Sequence, residues 1–154
     1  MLNRAFKQFS NNLDKFSAEI IRYQKFKTEY SKYKNLADLE TIVLKEKKNK
    51  KKISFISGNF NVIHPGHLRL LKFAKEISDI LIVFINPDKL SSIPISRHDR
   101  MESMQALTLV DYVVNEEIKI EKIISYLKPD YVVKGKEFEK KFNSEEKLIK
   151  KYGG

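Results

Sequence analysis

The sequence predicts an α/β protein, a doubly wound parallel sheet preceded by an N-terminal helical extension. Three observations carry this. The runs "ISFIS" from Ile53 and "ILIVFI" from Ile80 are almost wholly apolar, as expected for strands buried on both faces of a parallel sheet. Stretches with helical periodicity separate these and two later strands. The three interior glycines, Gly58, Gly66 and Gly135, fall at strand ends or in the turn just beyond.

At 154 residues and 42% hydrophobic, the chain suffices for one cored domain with an appendage and is short for two. It has no cysteine, which excludes disulfides, thiolate metal sites and thiol nucleophiles and fits a reducing cytoplasm. No apolar run approaches the roughly 18 residues that span a bilayer, and the N-terminus lacks a compact signal-peptide core. A cytoplasmic protein with no membrane partner is therefore expected.

From the N-terminus, Leu2, Phe6, Phe9, Leu13, Phe16, Ile20 and Tyr23 recur at alternating spacings of four and three, the seam of a helix that meets a partner. After a one-residue slip the stripe continues through Phe26, Tyr30 and Tyr33, predicting a helix of about 30 residues. A shorter helix follows from Leu36, with Asn35 as its N-cap. Residues 1–48 are read as a helical extension and an oligomerisation element, residues 51–154 as the sheet domain. Between them "KEKKNKKK", Lys45 to Lys52, holds six lysines and one glutamate of a chain whose net charge is +10. This run reads as a solvated segment ahead of a buried strand, with a docking patch for anionic nucleotides or RNA as the alternative. No nucleic-acid-binding module accompanies it, so nucleic acid is not expected as a partner.

In the sheet domain, Leu70, Leu71, Ala74 and Ile77 give a helical face between the first two strands. Ser96 opens the next helix with Asp99 three residues on, a capping arrangement, and Met101, Met104 and Leu107 are its inward face. "DYVVN" at Asp111 is the third strand, Ile120 to Leu127 a helix, "DYVVKG" at Asp130 the fourth strand, and a last helix starts near Ser144. Right-handed crossovers between such strands build the doubly wound sheet.

The chemistry concentrates in "GNFNVIHPGH", between the first strand and its helix. His67 falls in the first turn of that helix and His64 just before it, where unpaired N–H groups and the positive dipole end favour anions. Two imidazoles aimed at one spot would donate to phosphate oxygens. The bland alternative is a helix cap with two satisfied surface histidines, or half a metal site, although no third histidine or cysteine stands nearby as a ligand. Neither G-x-G-x-x-G nor a Walker P-loop is present.

Three blocks in order, "SGNFNVIHPGHLRLLKFAKEISDILIVFINPD", "RHDRMESMQALTLVDYVV" and "KPDYVVKGKEFE", resemble the cytidylyltransferase-like branch of the HxGH nucleotidyltransferases. The nearest patterns are glycerol-3-phosphate cytidylyltransferase and the nucleotidyltransferase domain of ADP-heptose synthase. The resemblance covers roughly Lys51 to Gly154. It implies a Rossmann-like nucleotidyltransferase fold and a reaction in which an acceptor phosphate oxygen attacks the α-phosphate of CTP or ATP, pyrophosphate leaves and Mg²⁺ assists. In that picture His64 and His67 stabilise the triphosphate in the transition state, and Arg100 stands near acceptor or phosphates. Gly58, Asn59 and Phe60 bring backbone to the phosphates, with Asn61 and Gly66 in the same turn. Lys89 is a candidate phosphate ligand, and Lys134, Gly135 and Glu137 fall where the family recognises base and ribose. No residue is assigned to hold a metal, and His98 reads as surface. The resemblance favours transfer of CMP to a small phosphorylated polyol or sugar. Asn61, where cytidylyltransferases usually have aspartate, keeps adenylyl transfer open. A catalytically weak nucleotide-binding or assembly module is the reading from another class. The family's C-terminal strand and Ser/Thr-rich helix are expected to be missing from residues 51–154, leaving the edge of the fourth strand open.

Overall fold

The computed structural model describes residues 32–88, 95–114, 116–135 and 144–154, together with residues 12, 15, 17 and 18, which are helical. The chain divides into two compact units, Met1–Ser31 and Lys32–Gly154. The rest of the aromatic stripe over residues 2–30 lies outside the described residues. Its last member does not continue a helix: Tyr33–Lys34 is a short strand, β1.

After β1 come α1 (Leu36–Lys48), β2 (Ile53–Gly58), α2 (Pro65–Glu76), β3 (Ile80–Ile85), α3 (Arg97–Gln105), β4 (Tyr112–Val114), α4 (Ile120–Leu127), β5 (Tyr131–Val133) and α5 (Ser144–Lys150). The described strands form one parallel sheet in the order β1-β4-β3-β2-β5. This is the doubly wound α/β arrangement the apolar runs predict. β1 pairs Tyr33 with Val113 and Lys34 with Val114. The residues from Lys32 to Lys48, grouped with the extension from sequence, therefore share the compact unit of the sheet. A two-residue strand carries no periodicity of its own, and the tyrosine spacing masked it.

Alternation along β3 shows how the sheet is held. Leu81, Val83 and Ile85 face one core, with Leu71 and Ala74 of α2 and Met101 and Met104 of α3. Ile80, Ile82 and Phe84 face the other, with Leu39 and Val43 of α1 and Ile123, Ile124 and Leu127 of α4. All six are buried because successive residues point to opposite faces and both faces are covered. The methionines of α3 are thus core, as their spacing indicates. At 20–30 cal/mol per Å² of apolar area, these two layers supply the main drive to fold.

Helix starts follow their caps. Asn35 accepts the Asp38 N–H at 2.8 Å through Oδ1, and Ser96 Oγ accepts the Asp99 N–H at 3.2 Å while donating to Asp99 Oδ2 at 2.7 Å. α4 ends on Lys128 at φ 45°, a left-handed cap where glycine is usual. Lys128→Gly is expected to raise stability by about 1 kcal/mol, seen as a melting-temperature rise of roughly 2–4 °C.

The residue before each of three strands is an aspartate that ties the strand starts together. Asp79 Oδ2 accepts the Lys52 N–H at 2.7 Å, Asp111 Oδ2 the Leu81 N–H at 2.8 Å, and Asp130 Oδ2 the Ile53 N–H at 3.0 Å. Burial pushes the Asp130 carboxyl up, but the bonds from the Lys52 ammonium and the Ile53 N–H outweigh it and hold it below the usual carboxylate range. A carboxyl depressed in the folded state stabilises fully above its unfolded pKa and loses that contribution as pH falls through the folded value. Stability should therefore fall below about pH 4. Thermal melts between pH 6 and pH 2.5 should show a shallower acid-side slope for Asp130→Asn than for the parent.

Candidate active site

The site grows from the carboxyl end of β2. From β2 the chain crosses to β3 and β4 on one side and later to β5 on the other, so the carboxyl ends of β2 and β5 flank the switch point where open α/β sheets bind ligands. A cleft of about 380 Å³ lies there, lined by Ser57, Gly58, Asn59, Phe60, Asn61, Val62, His64, His67, Leu70 and Gly135. That volume is in the range of small-molecule sites.

The turn into α2 needs its particular residues. Phe60 sits at φ 49°, yet its side chain is buried in the α2-side core, so packing holds a backbone conformation that a bulky residue rarely takes. A Cβ on Gly58 would stand 2.9 Å from the Phe60 ring, and one on Gly66 would stand 2.8 Å from the His64 ring. The buried Phe60 ring thus closes position 58 to a side chain, whereas at position 66 the exposed His64 ring would have to shift. His64 is the N-cap of α2 and Pro65 the first helical residue, with φ set by its ring.

His64 Nδ1 accepts the Gly66 N–H at 3.1 Å. A neutral imidazole whose Nδ1 accepts carries its proton on Nε2, so the cap leaves His64 with one outward donor. The His64 and His67 rings stack at 3.9 Å between centroids and 27°, and the Phe60 ring lies 5.0 Å from His67 on the cleft wall. α2 has no acidic residue in its first turn, so nothing on the helix opposes an anion at this end. Two stacked imidazoles, a helix start and side-chain amides converge on one space.

The structure brings Gly58, Asn59, Phe60, Asn61, His64, His67 and Gly135 together on the cleft, and puts Gly66 beneath the His64 ring. Arg100 does not line it. Its side chain is fully buried behind the wall, where Nη1 donates to the Asn59 carbonyl at 2.5 Å and Nη2 to the Asn86 carbonyl at 2.9 Å and to Asp88 Oδ1 at 2.7 Å. The resemblance placed this arginine near acceptor or phosphates; the structure spends all three of these bonds on the chain's own loops. Lys134 is likewise directed elsewhere, pairing with Glu145 of α5 and lining a separate groove with Tyr131 and Phe73. Lys89 and Glu137 lie outside the described residues. His98 is exposed beside Asp99 on α3.

Sequence reasoning missed the supports. Arg97 is buried, with Nε donating to the Ile85 carbonyl at 3.1 Å and Nη2 to the carbonyls of Val114 at 3.2 Å and Glu116 at 2.8 Å. It clamps the carboxyl ends of β3 and β4, and burial pushes its guanidinium below the usual arginine value. Asn86 and Asp88 were readable only as a loop after β3. The available signal was "NPD" directly after a buried strand, with two arginines opening the next helix.

A cleft at the switch point, walled by a helix start that collects imidazole and amide groups, defines an α/β protein with a candidate ligand site at the carboxyl rim of its sheet. The cytidylyltransferase-like family profile matches residues 55–153, and the chain belongs to this family of nucleotidyltransferases. Among known proteins it is similar to the bifunctional protein HldE of Campylobacter jejuni strain RM1221, 40% identical over 119 residues, which is 71% of this chain and 25% of that protein. The bifunctional protein HldE of Helicobacter pylori strain J99 is 39% identical over 109 residues, 65% of this chain and 23% of that one. The chain thus spans about a quarter of the length of these curated relatives. Among solved structures, a lipopolysaccharide core biosynthesis protein from Thermoplasma volcanium GSS1 shares the fold, with a TM-score of 0.55 and 24% identity over 67% of this chain and 89% of that one. No helix among the described residues is long and apolar enough to cross a membrane.

Proposed function

We propose that this domain transfers a nucleotidyl group from a nucleoside triphosphate to the phosphate of a small phosphorylated sugar or polyol. The observation that carries the reading is the stacked His64–His67 pair at the start of α2, with His64 oriented by its cap. An acceptor phosphate oxygen attacks the α-phosphorus, the bond from that phosphorus to the bridging oxygen breaks, and pyrophosphate leaves with the electron pair. The attacking oxygen is already anionic, so no general base is needed. This agrees with a cleft whose described lining has no carboxylate. What the chain must supply is position and charge neutralisation, from His64 Nε2–H, His67, Asn59 and the helix start.

Mg²⁺ fits this lining poorly as a protein-held ion, since the described walls offer it only neutral oxygens such as those of Ser57 and Asn61. We assign it to the nucleotide, as the counter-ion carried in by the triphosphate.

ATP is the donor we favour over the CTP first suggested by the family pattern. Asn61 resembles the adenylyl-transferring relatives, and the HldE proteins and the nucleotidyltransferase domain of ADP-heptose synthase are the patterns this chain follows over most of the sheet domain. CTP remains the second reading, supported by the cytidylyltransferase-like profile. A thermal-shift comparison of ATP, CTP, GTP and UTP with Mg²⁺ tests the choice, because a ligand that binds only the folded state raises the melting temperature by mass action. The largest shift with ATP supports the proposal, the largest with CTP replaces the donor, and no shift with any of the four overturns the nucleotidyltransferase reading.

A further inference from the structure

Asn59 and Asn86 stand at matching places on neighbouring strands. The β2–β3 ladder ends with Gly58 opposite Ile85, and the next residue after each strand is one of these two asparagines. Their side chains meet: Asn86 Nδ2 donates to Asn59 Oδ1 at 2.8 Å. Asn86 is itself pinned through its backbone on both sides, its N–H donating to the Gly58 carbonyl at 2.9 Å and its carbonyl accepting from Arg100 at 2.9 Å. The same guanidinium holds the Asn59 carbonyl at 2.5 Å. Asn59 lines the cleft and Asn86 does not.

A carboxamide has one acceptor oxygen and one NH₂ donor group. With the Asn59 oxygen engaged by Asn86, the group left to serve a ligand in the cleft is its NH₂. A polyphosphate at neutral pH presents acceptors and negative charge, so the orientation matters: NH₂ outward attracts it, oxygen outward repels it. We infer that Asn86 is a positioning residue for the nucleotide's phosphates, fixing the Asn59 amide with its donor toward the cleft. The inference rests on the nucleotidyl-transfer reading and adds to it a residue that never touches the ligand.

The test is a double-mutant cycle with inorganic triphosphate and Mg²⁺ as the probe, which removes any dependence on the base. Binding is measured by calorimetry on the full chain for the parent, Asn86→Leu, Asn59→Leu and the double variant, with unliganded melting curves as the fold control. Asn86→Leu and Asn59→Leu are each expected to weaken binding about 10-fold or more, the scale of a hydrogen bond to a charged group. The double variant should bind no worse than Asn59→Leu, because Asn86 acts only through Asn59. A merely structural Asn86 would weaken binding again in the Asn59→Leu background, and that result overturns the inference. Unchanged binding in Asn86→Leu overturns it as well. If Asn86→Leu fails to fold, Asn86→Asp serves: an acceptor at 86 turns the Asn59 oxygen to the cleft, and the same weakening is expected. Failure of the parent to bind triphosphate or any nucleoside triphosphate instead removes the nucleotidyltransferase reading, so the two failures are distinguishable.

Discussion

Replacing His64 with alanine should slow nucleotidyl transfer by about 10²–10³-fold, roughly 3–4 kcal/mol, the usual loss for one donor aimed at developing charge. The same change should lower stability by about 1 kcal/mol, because it removes the side chain that caps α2. The two effects can be separated. Asparagine is among the best N-caps, so His64→Asn should restore the melting temperature without restoring the rate. The separation follows from the ring's geometry: Nδ1 serves the Gly66 N–H at 3.1 Å, and Nε2 is the group left for phosphate. Parallel recovery of rate and stability in His64→Asn would show that the imidazole acts only as a cap.

Arg100→Met is expected to cost roughly 2–4 kcal/mol of stability, a melting-temperature drop on the order of 5–15 °C, and to loosen the cleft wall. The guanidinium is 1% exposed and bridges two carbonyls on different loops. Its removal orphans both, at about 1–3 kcal/mol for each buried group left without a partner. The ion pair with Asp88 adds little, since that carboxylate is more than half exposed. Lysine should not rescue the variant, because a single ammonium cannot span the three acceptors that the planar fork reaches. Thermal melts of Arg100→Met and Arg100→Lys check this, and a loss below about 1 kcal/mol in either would contradict the bridging role.

Much of the scaffold is legible in the sequence. The buried runs at Ile53 and Ile80 became adjacent parallel strands, Asn35 and Ser96 became caps, and Ile120–Leu127 became a helix with those bounds, because each rests on local chemistry. The histidine pair was readable for the same reason, since helix start, proline and imidazoles lie within four residues. What escaped depends on long-range pairing. β1 borrows its order from β4, about 80 residues later, and two residues carry no pattern. The directions taken by Arg100 and Lys134 were not legible, because charge in sequence does not say which way a side chain turns. One is drawn inward by loop carbonyls, the other by Glu145 of α5. The Asn59–Asn86 contact, 27 residues apart, follows only from the strand register.

The most direct measurement of the central claim follows the α-phosphate. With ATP labelled at that position and a panel of sugar and polyol phosphates, label should pass to the acceptor as pyrophosphate appears in equal amount, at a rate at least 100-fold above that of His64→Asn. Transfer of the γ-phosphate instead, or equal rates in parent and His64→Asn, would contradict the account.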